Sequence, residues 1–345
     1  MARYDLTVEL AMLATRNPGR TEADIQAAVR ALLMYGGFDL GAEAVHLEQP
    51  AENRRRLDVA VGALIIECKR DLRGGSAVRD AEQQLGEYLL AKAGSGGGYV
   101  GILTDGAVWR LYRMDKGTLA NVAELTLDAT HIAERTFRHW LGSILATEVS
   151  MRPTADLIAA RLGAASPAFA LVRTSLQQVL NGARGLPSML VKRQLWTKLL
   201  RSALGTQFEG TDSLFLDHTY LVLVATVIAH AVLGFDTSEY EPAVLLSGQL
   251  FEQAGILGVG QAGFFDWVLE LPEGFDIVAD VVRRVRVFEW AGVEHDVLKS
   301  LYQSVIAPPV RKRLGEYYTS ARSHGVPNVT ANCGVPVYRP ARNAA

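Results

Sequence analysis

The chain has only two cysteines in 345 residues, Cys68 and Cys333. One pair excludes a disulfide framework and any zinc site built on cysteine. Its seven histidines are scattered, without His-x-x-x-His or His-Glu-x-x-His spacing, so no helical zinc motif is present. Lysine plus arginine (35) nearly balance aspartate plus glutamate (37), leaving a formal net charge of −2. There is no global electrostatic pull toward nucleic acid, and any surface for such a partner must be local. The opening Met1-Ala2-Arg3-Tyr4-Asp5 lacks the apolar core of a secretory signal, and a cytoplasmic location is expected. Long apolar runs are also missing. The stretch Tyr220–Gly234, interrupted only by Thr226 and His230, is shorter than the ~20 residues of a spanning helix. A buried core helix is expected there and no membrane partner, with His218 and His230 as satisfied core or interfacial residues. No internal repeat or low-complexity tract is visible. The glycine-rich run Gly94-Ser95-Gly96-Gly97-Gly98 precedes a strand pattern and lacks the Lys-Ser/Thr of a phosphate-binding P-loop. It reads as a plain loop.

What is present is chemically pointed. Residues Leu57 to Lys69 place Asp58, then Glu67-Cys68-Lys69, on an apolar background that reads as β-strand. Strand side chains alternate faces, so Glu67 and Lys69 share one face with Ile65 while Cys68 shares the other with Leu64 and Ile66. Burying a lone carboxylate or ammonium beside such a run is costly. The three charges make joint sense if they hold a divalent cation and a phosphodiester. Mg²⁺ takes oxygen ligands, commonly one or two carboxylates plus substrate phosphate oxygens. A surface salt bridge on an edge strand is the other reading of the same residues.

The flanking segments supply context. Upstream, Asn17-Pro18-Gly19 punctuates the chain, and Thr21 stands as N-cap with Asp24 as a capping-box acid before Ile25, Ala28, Val29, Leu32 and Leu33 at helical spacing. Downstream, residues Asp80 to Leu90 read as a helix with Gln84 and Tyr88 one turn apart on one face. Residues Tyr99 to Tyr112 then read as two strands joined at Asp105-Gly106, a hairpin signal.

Asp58, eight intervening residues and Glu67-Cys68-Lys69 resemble the PD-(D/E)XK nuclease motif, with Leu57 where a proline is usual. The order helix, strand, catalytic strand, helix, hairpin fits that fold. The resemblance implies Asp58 and Glu67 as ligands of Mg²⁺, with Lys69 as catalytic base or charge stabiliser. It also implies that Glu22 adds a carboxylate, although a first-turn acid complementing the helix dipole is an equal reading. Gln84 and Tyr88 resemble the Gln-x-x-x-Tyr element of type I and type IIG restriction nucleases. There the glutamine contacts the phosphate backbone; a solvated helix residue is the alternative. Asn53-Arg54-Arg55-Arg56 is a candidate for phosphate contact or a solvated turn.

Near the far end, Arg311-Lys312-Arg313-Leu314-Gly315-Glu316-Tyr317-Tyr318-Thr319 resembles the opening segment of adenine-N6 DNA methyltransferases, and Leu298–Ile306 the helix leading into it. No Asn/Asp-Pro-Pro-Tyr run and no cofactor-binding glycine loop follow. The whole therefore resembles the amino-terminal part of a type IIG-like, BREX-related restriction–modification enzyme. The implied fold class is an α/β restriction-endonuclease-like (PD-(D/E)XK) domain with a mixed central sheet, followed by a mostly α-helical domain. The expected organisation is a nuclease-like domain over 1–148, a linker at Ser150–Thr154 and a helical connector over 154–310. Residues 311–319 would start a methyltransferase domain, and 320–345 would be a disordered or aberrant tail.

Helices are expected at 133–145, 155–162, 169–180, 190–204, 214–233, 241–250, 275–290 and 295–306. Phe264-Phe265-Asp266-Trp267 reads as packing at a helix start, with base stacking as its other use. The apolar face of Leu298–Ile306, deprived of a neighbour, is expected to promote self-association. The implied activity is Mg²⁺-dependent hydrolysis of double-stranded DNA. S-adenosylmethionine would be a cofactor only in a full-length relative, and a separate methyltransferase or specificity chain is a possible partner. The competing class is a non-catalytic DNA-binding or partner-binding fragment.

Overall fold

The computed structural model describes residues 4–41, 44–50, 56–93, 98–204, 210–258, 263–293, 296–306, 308 and 311. Asn53, Arg54 and Arg55, the glycine run at 94–97, and residues 312–345 with most of the 311–319 segment lie outside them.

The first helix, α1 (Leu6–Ala14), is followed by α2 (Glu22–Tyr35). The expected capping box opens α2: Thr21 Oγ1 accepts from the Asp24 amide at 3.2 Å, and Asp24 Oδ2 accepts from the Thr21 amide at 2.8 Å. Six strands follow, β1 (Val45–Pro50), β2 (Arg56–Val61), β3 (Leu64–Cys68), β4 (Val100–Thr104), β5 (Val108–Asp115) and β6 (Thr118–Thr126), with α3 (Gly75–Ala93) between β3 and β4. They form one sheet in sequential order, parallel only at β3–β4. The apolar run at 57–69 is not one strand. It turns at Gly62, whose φ of +55° suits glycine, so β2 and β3 pair antiparallel as a hairpin.

β3 is buried along its whole length because both sheet faces are covered. Leu64, Ile66 and Cys68 join Val59, Ile102 and Trp109 in a core with residues of α1, α2 and α4 (Glu134–Leu145). Ile65, Ala60, Leu103 and Tyr112 face Leu85, Tyr88 and Leu89 of α3. The alternation read from the sequence is the one observed. At Gly101, a Cβ would come within 2.7 Å of Leu85, so the missing side chain lets α3 sit close on β4.

The remainder is helical: α5 (Ala155–Leu162), α6 (Pro167–Ala183), α7 (Pro187–Leu204), α8 (Asp212–Val232), α9 (Pro242–Leu246), α10 (Gln249–Gln253), α11 (Glu273–Val285) and α12 (Val297–Val305). Two expected helices are corrected. The segment at 241–250 divides where Gly248 takes φ +82°. The helix expected to reach 290 stops at Val285, after which 287–289 brackets Met151 with two backbone hydrogen bonds of 2.9 Å. Those bonds also fix the supposed linker at 150–154 in place. α8 is 21 residues long and apolar enough to cross a membrane by length and composition, longer than the run read from the sequence. Its Phe215, Leu216, Tyr220, Leu223, Val224, Val227 and Ile228 are buried in the helical core. Trp267 is buried there too, stacked on Phe215 at 5.5 Å with Nε1 donating to Thr219, so the Phe264–Trp267 cluster is packing. The apolar face of α12 is likewise covered: Val297, Leu301 and Val305 are buried, and α5 and α8 pack on this helix. The ground for self-association through it is absent.

The two cores meet through polar clamps. Arg113 donates to the Leu171 carbonyl at 3.3 Å, and Gln178 to the Met114 carbonyl at 2.9 Å. Arg283 and Arg284 of α11 donate to the Leu145 and Ser143 carbonyls at the end of α4. Such donors satisfy carbonyls that a helix C-terminus leaves open.

Candidate active site at the ends of β2 and β3

Asp58 lies one position beyond the registered pair Val59↔Ile66, which carries it beside Glu67 across the β2–β3 ladder. Its Oδ2 accepts from the Cys68 amide at 2.8 Å. Glu67 is fully buried on the α3 face of the sheet. Lys69, the first residue after β3, puts Nζ 2.6 Å from Glu67 Oε1, 3.3 Å from Gln84 Oε1 and 3.7 Å from Glu22 Oε2. Gln84 in turn donates to the Tyr88 hydroxyl at 3.0 Å. The five residues singled out in the sequence, Glu22, Asp58, Glu67, Lys69 and Gln84, therefore meet at one place.

Each gets there for a local reason. Glu67 and Lys69 come from the period of two of a strand, Asp58 from the hairpin register, and Gln84 from a helix laid over that face. Glu22 is the first residue of α2 and half-exposed. There it complements the helix dipole and also faces Lys69.

The electrostatics are strained around Glu67. Burial, and then the nearby Asp58 charge, push its carboxyl up to about 7, although Lys69 pulls the other way. Lys69 is drawn down by burial but is held above its ordinary value by the ion pair with Glu67 and by Glu22 and Asp58. Glu67 Oε1 has its lysine, while Oε2 is buried without a hydrogen-bond partner. A buried anionic oxygen left open beside a second carboxylate suits a hard cation. Among the described residues, no group of three or more His, Cys, Asp or Glu side chains is placed to hold a metal ion by itself. Two carboxylates with water and substrate oxygens are the usual Mg²⁺ arrangement, so the residues fit that ion.

Sequence reasoning missed Gln26. One turn after Glu22 on α2, it donates to the Asp58 carbonyl at 2.9 Å and lies 3.5 Å from Asp58 Oδ1. Its i+4 spacing from Glu22 is the one signal that pointed to it. Cys68, between the two charged residues, points into the opposite core, and burial raises its thiol pKa well above the usual range. Its thiol has no part in the site; only its backbone amide does, as the donor to Asp58 Oδ2. His218 accepts from Trp196 Nε1 at 3.3 Å, as expected of a satisfied core residue. His230 departs from that expectation: it is fully buried and neither ring nitrogen has a partner. A cavity of about 390 Å³ lies elsewhere, at the junction lined by Glu148, Tyr240 and Arg283.

The mixed six-stranded sheet with helices on both faces is compatible with an α/β nuclease-like domain. No family model matches the chain. No curated protein matches it either. Among solved structures it has a weak similarity to the cryoEM structure of a DrdV–DNA complex, with 16% identity and a TM-score of 0.26. The match covers 91% of this chain and 29% of the DrdV chain. This chain thus corresponds to less than a third of DrdV's length, and a likeness at that score carries no argument about the site.

Proposed function

We propose that this chain is the Mg²⁺-dependent DNA endonuclease portion of a type IIG-like restriction–modification enzyme, hydrolysing phosphodiesters in duplex DNA through a PD-(D/E)XK-type site. The observation that carries the reading is the convergence of Asp58, Glu67 and Lys69, with Glu67 Oε2 buried and unpartnered. Asp58 and Glu67 would hold the ion. A divalent cation there would neutralise phosphate charge and lower the pKa of a bound water.

The protein's own groups do the rest. The Cys68 amide and Gln26 fix the Asp58 carboxylate, and Glu22, Glu67 and Gln84 hold the Lys69 ammonium at one point. A fixed ammonium beside the scissile phosphate stabilises the negative charge that grows in the transition state. Gln84, oriented by Tyr88, is placed to accompany the phosphate backbone. In this reading residues 1–148 carry the chemistry in a cytoplasmic enzyme and 154–310 connect it to a methyltransferase beginning at 311–319. A separate methyltransferase or specificity chain would act with it.

A second reading, a DNA- or partner-binding fragment without catalysis, is favoured by one observation. Lys69 closes directly on Glu67 at 2.6 Å, as in a self-contained ion pair. Cleavage of mixed plasmid and bacteriophage DNA with and without Mg²⁺ or Mn²⁺ separates the two. Cleavage should need the ion. Asp58→Ala and Glu67→Ala should each lower it by at least about a thousandfold, the several kcal/mol of charge stabilisation lost with the ion. Activity that survives excess EDTA, or a folded wild-type chain that binds but never cuts, rejects the nuclease reading.

A further inference from the structure

The β4–β5 turn was read from the sequence as a turn and nothing more, yet its Asp105 is fully buried and heavily bonded. Oδ1 accepts from the Ala107 and Val108 amides at 3.0 and 2.8 Å, which is the ordinary work of a turn aspartate. Oδ2 does something else. It accepts from Arg16 Nε and Nη2 at 3.2 and 3.1 Å and from the Leu72 amide at 3.2 Å. Arg16 lies in the loop that ends at Glu22, and Leu72 in the loop that begins at Lys69.

The same two loops are joined by further bonds around this turn. Arg20 donates to the Asp105 carbonyl and to the Leu13 carbonyl, both at 2.7 Å. The Lys69 amide donates to the Thr104 carbonyl at 2.8 Å, and Arg70 donates to the Pro18 carbonyl. Gly106 at φ +86° passes so near Leu13 that a Cβ would stand 2.5 Å from its carbonyl oxygen. The segments that present Glu22 and Lys69 are thus fastened to one buried carboxylate.

We propose that Asp105, through Arg16 and the Leu72 amide, is a positioning residue that holds the Glu22 end of α2 and the Lys69 exit of β3 in register with each other. It touches neither substrate nor ion. Its consequence for turnover rests on the nuclease reading; the clamp itself does not. A displacement of about 1 Å in a positioned group can cost about a hundredfold in rate, so this fastening has catalytic weight.

The test uses the full chain with Asp105→Asn, which keeps shape and drops charge, and with Arg16→Met and Arg16→Lys in case the first fails to fold. Hydrogen–deuterium exchange should quicken together in residues 15–22 and 69–74 by about tenfold or more, while the amides of α4 keep their protection. On the DNA mixture with Mn²⁺, turnover should fall about tenfold or more with apparent affinity for DNA within about threefold, and Arg16→Lys should recover most of what Arg16→Met loses. Loosening confined to residues 105–108, or lost turnover that tracks only the unfolded fraction, overturns the inference. If the wild-type chain cuts no DNA, the nuclease reading falls and the exchange pattern alone decides the clamp.

Discussion

Two buried glutamates, one in each half of the molecule's polar architecture, face a single cation and resolve it differently. Glu148, at the junction of the sheet unit and the helices, accepts a hydrogen bond from Arg161 Nη2 on Oε1 at 2.8 Å, while its Oε2 lies 2.7 Å from Nη1 as an ion pair without a hydrogen bond. Gly142 makes room for the pair: a Cβ there would stand 2.0 Å from Arg161 and 2.5 Å from Glu148. Glu67, at the end of β3, meets the ammonium of Lys69 with one oxygen only, and Asp58 crowds it rather than neutralising it. Each carboxylate keeps one oxygen without a hydrogen bond, but the planar fork brings a cationic nitrogen beside both oxygens of Glu148, whereas the ammonium is bonded to one oxygen of Glu67. In the first, charge meets charge within 2.8 Å at both oxygens, and the pair serves the fold. The second is arranged for a further positive charge.

The sharpest way to break that contrast is Lys69→Ala. If Lys69 acts on phosphate charge, its loss should lower cleavage by about a hundredfold to a thousandfold and leave Mn²⁺ affinity nearly unchanged. Calorimetry showing lost ion binding would instead make Lys69 a structural partner of Glu67, as Arg161 is of Glu148.

The opposite expectation holds at the junction. Glu148→Ala strands the Arg161 guanidinium in a buried place, and breaking a buried pair in this way costs about 3–5 kcal/mol. Chemical denaturation should report that loss, while cleavage per folded molecule stays unchanged. A cleavage defect without destabilisation would show that the junction belongs to the site.

How much of this was legible depends on reach along the chain. Glu67 and Lys69 were readable because strand period is a local rule, Asp58 from its spacing to them, and the Thr21–Asp24 capping box because it spans four residues; the hairpin turn at Gly62 that brings Asp58 beside Glu67 was not read. The break at Gly248 and the early end of α11 were not, since apolar spacing continues through both and only tertiary pairing with Met151 ends the second. Gln26 is an ordinary helix residue until β2 lies against it. Asp105 looked like half of an Asp-Gly turn; its second oxygen finds Arg16, 89 positions away. Arg161 and Glu148 carry no local pattern at all. Long-range polar contacts leave no periodicity in a single sequence, and here they do the joining.

The comparison extends to pH. The Glu67 carboxyl is raised from 4.5 to about 7 in the folded chain, so between these values the native state binds more protons than the unfolded one. Stability from this group is present at low pH and is lost as pH rises through about 7. Without divalent ions, Glu67→Gln should therefore become progressively more stable than wild type from pH 5 to pH 8, by at most about 3 kcal/mol at about 1.4 kcal/mol per pH unit. Mg²⁺ should narrow the gap, since the ion needs the ionised form. A pH-independent difference between the two proteins would mean that Glu67 titrates normally.

His230 in the helical region supplies the opposite slope and the smallest effect. It is fully buried, 4.3 Å from the Phe251 ring centroid, and neither ring nitrogen is hydrogen-bonded. Burial lowers its pKa from 6.5 to about 4, so the unfolded chain binds the extra proton between these values. Stability is then full above about pH 6.5 and declines as pH falls toward 4. Replacing the ring with leucine removes two unsatisfied polar atoms, worth about 1–2 kcal/mol at neutral pH, less whatever the smaller side chain leaves unfilled. His230→Leu should thus be near neutral or slightly stabilising at pH 7 and clearly stabilising at pH 5. Thermal melts at the two pH values decide the matter. A substitution that destabilises equally at both would show that the imidazole is held by its contacts in the fold and carries no unsatisfied cost.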